Sequence, residues 1–132
     1  MKNNALVMAM AMKLTAACCA ALLAACAAEV PRQKTQWQAA GATPATIQLT
    51  ESVTLEPSTG YTRVLNRGSR WREAGRIPEG RVFRPVDGVL TAEGKHVHEA
   101  YLVLDNGRAV GLYLPVEQSF MALPPKPVQY QE

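Results

Sequence analysis

From residue 46 onward the chain alternates apolar and polar residues in short runs separated by turn formers. The runs read "TIQL", "SVTLE", "YTRVL", "RWREAGRI", "RVFRPV", "GVLTAE", "HVHEAYLVL", "RAVGLYL" and "SFMAL". Gly, Pro, Asn and Asp punctuate them, and β-branched and aromatic residues recur within them. That pattern predicts short antiparallel strands. No stretch reads as a helix. The spacing therefore predicts an all-β domain over 47–123, a small barrel or sandwich.

The clearest local signal is "EAYLVLDNGRAVGLYL". Asn106-Gly107 predicts a type I′ hairpin turn, in which both central residues need positive φ. An uninterrupted ladder from that turn sets Asp105 opposite Arg108, a favourable cross-strand pair. It then sets Leu104 opposite Ala109, Val103 opposite Val110, Leu102 opposite Gly111, Tyr101 opposite Leu112 and Ala100 opposite Tyr113. Both faces are apolar, so the hairpin is expected at the centre of the sheet, covered on both sides. A second turn is expected at "IPEGR", where Pro78 presets φ.

The flanks differ in character. Residues 27–46, "AAEVPRQKTQWQAAGATPAT", lack sustained periodicity and predict a flexible tether. Trp37 is the only large aromatic there, suited to a lipid interface, to docking on the domain, or simply to exposure. The tail "PPKPVQYQE", 124–132, predicts an extended, polyproline-like end.

Residues 14–25, "LTAACCAALLAA", form an uncharged run of small and apolar residues behind Lys13. A cation followed by a core of this length describes an export signal. It falls short of the ~20 apolar residues of a membrane span. The run ends in Leu23-Ala24-Ala25-Cys26, which resembles the lipobox of bacterial lipoproteins. The resemblance covers only the first 26 residues. It implies that 1–25 are a signal peptide, that the Cys26 thiol is diacylated, and that Cys26 starts the mature chain. Residues 26–46 are then lipidated cysteine plus tether. Cys18 and Cys19 leave with the signal, so the mature protein forms no internal disulfide. Ala27 and Ala28 follow the cysteine, where enterobacterial lipoproteins retained in the inner membrane carry Asp. The expected location is the periplasmic side of the envelope, with the outer membrane favoured. Translation could also start at Met12, which leaves the mature protein unchanged.

Charge narrows the function classes. Of fourteen Lys and Arg, Lys2 and Lys13 precede Cys26, which leaves twelve against eleven acidic residues. A near-neutral chain without base-reading motifs or stacking ladders argues against a nucleic-acid partner. Within it, residues 63–84 hold seven arginines and two glutamates. Strand alternation predicts Arg70, Arg72 and Arg76 on one face and Trp71 and Ile77 on the other, with Arg81 and Arg84 following beyond the turn. Guanidinium forks match phosphate and carboxylate, so this face is the candidate contact for an anionic ligand or partner. A solvated face paired to Glu73, Glu79 and other acids is the plainer alternative.

"HVHE", 96–99, is a weak metal candidate. On a strand His96 and His98 share a face and Glu99 takes the other. The chain has no third histidine and no cysteine after Cys26, whereas zinc sites usually take three or four protein ligands. No cofactor is expected. Nucleophile elbows and phosphate-cradling loops are absent, which argues against an enzyme. The sequence thus predicts a non-enzymatic envelope lipoprotein, an adaptor or structural subunit of a membrane assembly. The alternative is a periplasmic module for an anionic envelope ligand; a metal-dependent activity at His96 and His98 ranks third.

Overall fold

A computed structural model describes residues 28–132; the signal peptide, Met12 and Cys26 lie outside the described residues. It consists of twelve strands with no helix among the described residues, all paired antiparallel. They are β1 (Gln33–Lys34), β2 (Gln38–Ala39), β3 (Thr46–Leu49), β4 (Val53–Leu55), β5 (Arg63–Leu65), β6 (Arg70–Ile77), β7 (Gly80–Pro85), β8 (Leu90–Glu93), β9 (Val97–Asp105), β10 (Arg108–Leu114), β11 (Ser119–Pro127) and β12 (Tyr130–Gln131). The main sheet runs β1-β11-β10-β9-β7-β6-β3-β12, with β2 also on β6 and β8 also on β9, while β4 and β5 form a separate hairpin. No ladder joins β1 to β12, so the sheet is not closed into a barrel, and the layout is consistent with a sandwich.

The central strands β7, β9 and β10 are apolar on both faces. Phe83, Leu102, Leu104, Leu112 and Leu114 point into the main core with Ile47, Leu49, Leu55 and Trp71. Val82, Val103 and Tyr113 point the other way, into a second cluster with Ile77 and Phe120. The predicted hairpin is there: Asn106 and Gly107 have φ of 49° and 73°, and Arg108 faces Asp105. Its register holds only through Ala109–Leu104. Val110 then bulges, and Gly111 faces Val103, Leu112 faces Leu102 and Tyr113 faces Tyr101. The bulge lies where Gly111 lets β11 come very close. An alanine Cβ there would overlap the Met121 carbonyl oxygen and sit 2.6 Å from Cζ of Phe120.

Both flanks depart from their expected roles. The segment expected as a tether is, from residue 28, part of the fold. Val30 is buried in the main core, β1 pairs with β11, and β2 pairs with β6. Trp37 docks, stacking on Tyr113 at 4.7 Å between centroids. Gly75 makes room for it, since a Cβ there would lie 2.5 Å from Cη2 of the indole. This arm covers the second cluster, which the central strands cannot leave in water. The expected proline-rich tail is likewise paired. β11 continues through Pro127, Val128 is buried, and Tyr130 pairs with Leu49. Proline cannot donate to a ladder, and β11 is irregular there: its register on β10 jumps from Ala122 to Lys126. Burial of Leu123 and Val128 on either side holds the strand in place.

Candidate functional site

β6 and β7 are joined by the expected tight turn at Pro78-Glu79, and Ile77 pairs with Gly80. Their register shifts between Glu73 and Gly75, where Ala74 bulges out. A bulge inserts one extra residue, so alternation resumes on the opposite face. Trp71 therefore enters the main core, whereas Ile77 enters the second cluster. The arginines divide in the same way. Directly paired residues project to one side. Arg72 pairs with Arg84, and Arg76 pairs with Arg81. Arg84 lies on the opposite face from Phe83, while Arg81 shares the face of Phe83 and stacks 5.0 Å over its ring. The expected common face for Arg70, Arg72 and Arg76 is thus corrected. Arg70, Arg72 and Arg84 stand together, and Arg76 and Arg81 stand on the other side.

Arg81 has structural work. Its Nε and Nη2 donate to Oε2 of Glu73 at 2.8 and 2.5 Å, and Nη1 lies 3.8 Å from Glu132. Arg70 meets Asp87 at 3.3 Å in an exposed pair, a kind worth little in water. Among the described residues no carboxylate lies within ion-pair distance of Arg72 or Arg84, and both are exposed.

These two border a groove of about 510 Å³, also lined by Arg70, Thr46, Pro85, Val89, Glu99 and Tyr101. Its origin is topological. Along one edge of β9, β7 pairs with 102–104 and β8 pairs with 97–100. Between them residues 86–89 leave the sheet, with Gly88 at φ 80°. Tyr101 lies at this change of partner and lines the groove. Sequence reasoning missed Tyr101, Thr46, Glu99 and the 85–89 loop, because the groove arises from a partner switch on β9. The run "PVDGV" between two strand patterns was the only local sign of it. A second hollow, of about 420 Å³ with Trp37, Pro44 and Tyr101 in its wall, adjoins Arg72 and Arg84. The site thus offers two arginines paired directly across β6 and β7, a third arginine and the Glu99 carboxylate in the same lining, and an aromatic and aliphatic wall.

The histidines do not form a metal site with each other. His96 is exposed in the turn before β9, where its carbonyl accepts from the Gly94 amide. His98 is buried, with Nδ1 2.5 Å from Oε1 of Glu117. Among the described residues no group of three or more His, Cys, Asp and Glu side chains is placed to hold a metal. Burial pushes the Glu117 carboxyl up, but the hydrogen bond to His98, its own backbone amide and the charges of His98 and Arg32 outweigh this and hold it below its ordinary 4.5. A carboxyl lowered by folding adds stability above its unfolded pKa and loses it as pH falls through the folded value. The melting temperature is therefore expected to fall below about pH 4.5. Glu117→Gln should melt lower at neutral pH and show a shallower acid decline, checked by thermal melts from neutral to acid pH. An unchanged acid slope in the variant would remove Glu117 from this account.

No helix of the described residues is long and apolar enough to cross a membrane. Comparison with protein-family models, curated proteins and solved structures finds no match to this chain.

Proposed function

We propose that this chain is a non-enzymatic, lipid-anchored protein of the bacterial cell envelope that holds an anionic ligand in the groove between β6, β7 and residues 85–89. One observation carries the reading: Arg72 and Arg84 are directly opposite each other on neighbouring strands. Like charges so placed oppose each other. A phosphate or carboxylate bridging them reverses that sign, and the planar guanidinium is suited to both anions. Concavity favours this over the adaptor reading, because ligand sites are grooves with a few convergent polar groups. The lipobox at Cys26 supports the envelope location and the attachment to membrane. Phosphorylated lipopolysaccharide headgroups and carboxylate-bearing cell-wall fragments are the two sources of such an anion there.

The test is calorimetric titration of the protein, purified from membranes in mild detergent, with inorganic phosphate, a phosphorylated lipid A headgroup and a peptidoglycan peptide. Saturable binding of either envelope molecule, weakening as salt shortens the Debye length from about 10 Å at 0.1 M to about 3 Å at 1 M, is the expected result. Stronger binding of one identifies the source. Absence of saturable binding by all three at low salt would sink the reading.

A further inference from the structure

The arm that docks Trp37 is also fastened to the domain at its very start. Val30 is 3% exposed in the main core. Just before it, the Ala28 carbonyl accepts from the Lys95 amide at 2.9 Å, and Glu29 lies 3.7 Å from the Lys95 ammonium. Gly94 lets this contact close, since a Cβ there would stand 2.6 Å from the Ala28 oxygen and 3.1 Å from Cγ2 of Val30. The chain is therefore held to the β8–β9 turn from residue 28. Cys26 lies two positions earlier, and two extended residues reach at most about 7 Å. A thioether-linked lipid at Cys26 has no long leash between itself and that turn.

We infer that the domain sits directly on the bilayer with the β8–β9 turn against the lipid surface. This rests on the lipidation of Cys26. The surface around the turn fits that occupant. Val97 is 66% exposed and Val116 is 79% exposed. They belong to one end of the fold, because Val97 precedes His98, Val116 precedes Glu117, and those two side chains are bonded. Lys95 is exposed beside them, and Lys34 reaches the Glu117 carbonyl at 2.6 Å, with exposed Arg32 two residues before it. Exposed aliphatic side chains with Lys95, Lys34 and Arg32 at the same end suit the headgroup layer of an anionic membrane. The seat also positions the groove. Glu99 and Tyr101 follow Val97 by two and four residues on β9, at most about 7 and 14 Å along the strand. The groove then opens at the height of lipid headgroups and of what projects from them.

The experiment places one fluorophore on the acylated protein at Val97→Cys, Val116→Cys or Asp105→Cys and reconstitutes it in phosphatidylethanolamine–phosphatidylglycerol vesicles. Asp105 is exposed at the far end of β9, about 27 Å from Val97 along the strand. Brominated lipid should quench positions 97 and 116 several-fold more than 105. Inserting a Gly-Ser linker of about ten residues between Ala27 and Ala28 should abolish that difference. Equal quenching at all three sites, in protein whose mass shows the diacylglyceryl group, overturns the seat and leaves lipidation standing. A mature protein without that group on Cys26 overturns both.

Discussion

Replacing Gly111 with alanine is expected to lower the melting temperature by roughly 12–24 °C, the equivalent of about 3 kcal/mol at roughly 4–8 °C per kcal/mol. The added methyl meets the Met121 carbonyl oxygen, which is backbone, and the ring of Phe120. Neither can swing aside as the end of a flexible side chain can. Phe120 is packed with Tyr113 and Val103 in the second cluster, and Met121 pairs with Leu112 in the ladder. Relief requires β10 and β11 to separate, which loosens the β1 contact and the arm that covers the cluster. Gly41→Ala is the control. No atom lies within 4 Å of a Cβ built there, so its melting should stay within about 0.5 kcal/mol of the parent. Equal melting of the two variants would show that the β10–β11 approach is not tight.

The strands themselves are legible because their signals are local. Period-two alternation marks β6 and β9, Asn106-Gly107 marks one turn, and Pro78 marks another. What escapes is the placement of one extra residue. The bulge at Ala74 moves Arg76 and Ile77 to faces opposite those that alternation assigns, and its one local sign in "RWREAGRI" is Gly75, since a glycine inside a strand often marks a bulge or a close approach. The cause is distributed. Gly75 must lie flat under Trp37, an aromatic thirty-eight positions earlier in the chain. The same reasoning explains the arm. Residues 27–46 carry too little apolar periodicity to predict strands, yet the second face of β9 and β10 exposes Val103 and Tyr113 unless something covers them. Trp37 supplies that cover by stacking on Tyr113, Val30 anchors the start of the arm in the main core, and two-residue ladders suffice to hold the backbone. The doubly apolar hairpin was the sequence sign that a cover must exist; it could not say which segment provides it. The arginines were legible as a concentration of charge, and their grouping was not. The groove was the least legible feature, because it depends on where β9 changes partners.

Removing both Arg72 and Arg84 as glutamine is expected to weaken anion capture about 100-fold or more. A hydrogen bond to a charged group contributes about 1.5–3 kcal/mol. Loss of one such bond from each arginine therefore exceeds the 1.4 kcal/mol per tenfold of affinity twice over. The same double variant should be slightly more stable without ligand. Arg72 and Arg84 face each other across the β6–β7 ladder with no carboxylate between them among the described residues, and a like-charge pair opposes folding by about 0.2–1 kcal/mol. Weaker capture with a higher melting temperature separates a ligand site from a merely structural pair, since structural side chains lose stability on removal. Two further variants complete the argument. Arg76→Gln, on the opposite face, should leave both capture and melting unchanged. Arg81→Gln should lower the melting temperature, because it strands the Glu73 carboxylate, only 15% exposed, yet leave capture intact. Affinity by titration and melting by circular dichroism read all three variants. Loss of capture through Arg76 or Arg81 equal to that through Arg72 and Arg84 would mean that the protein recognises its anion by overall charge, and the groove would lose its assignment.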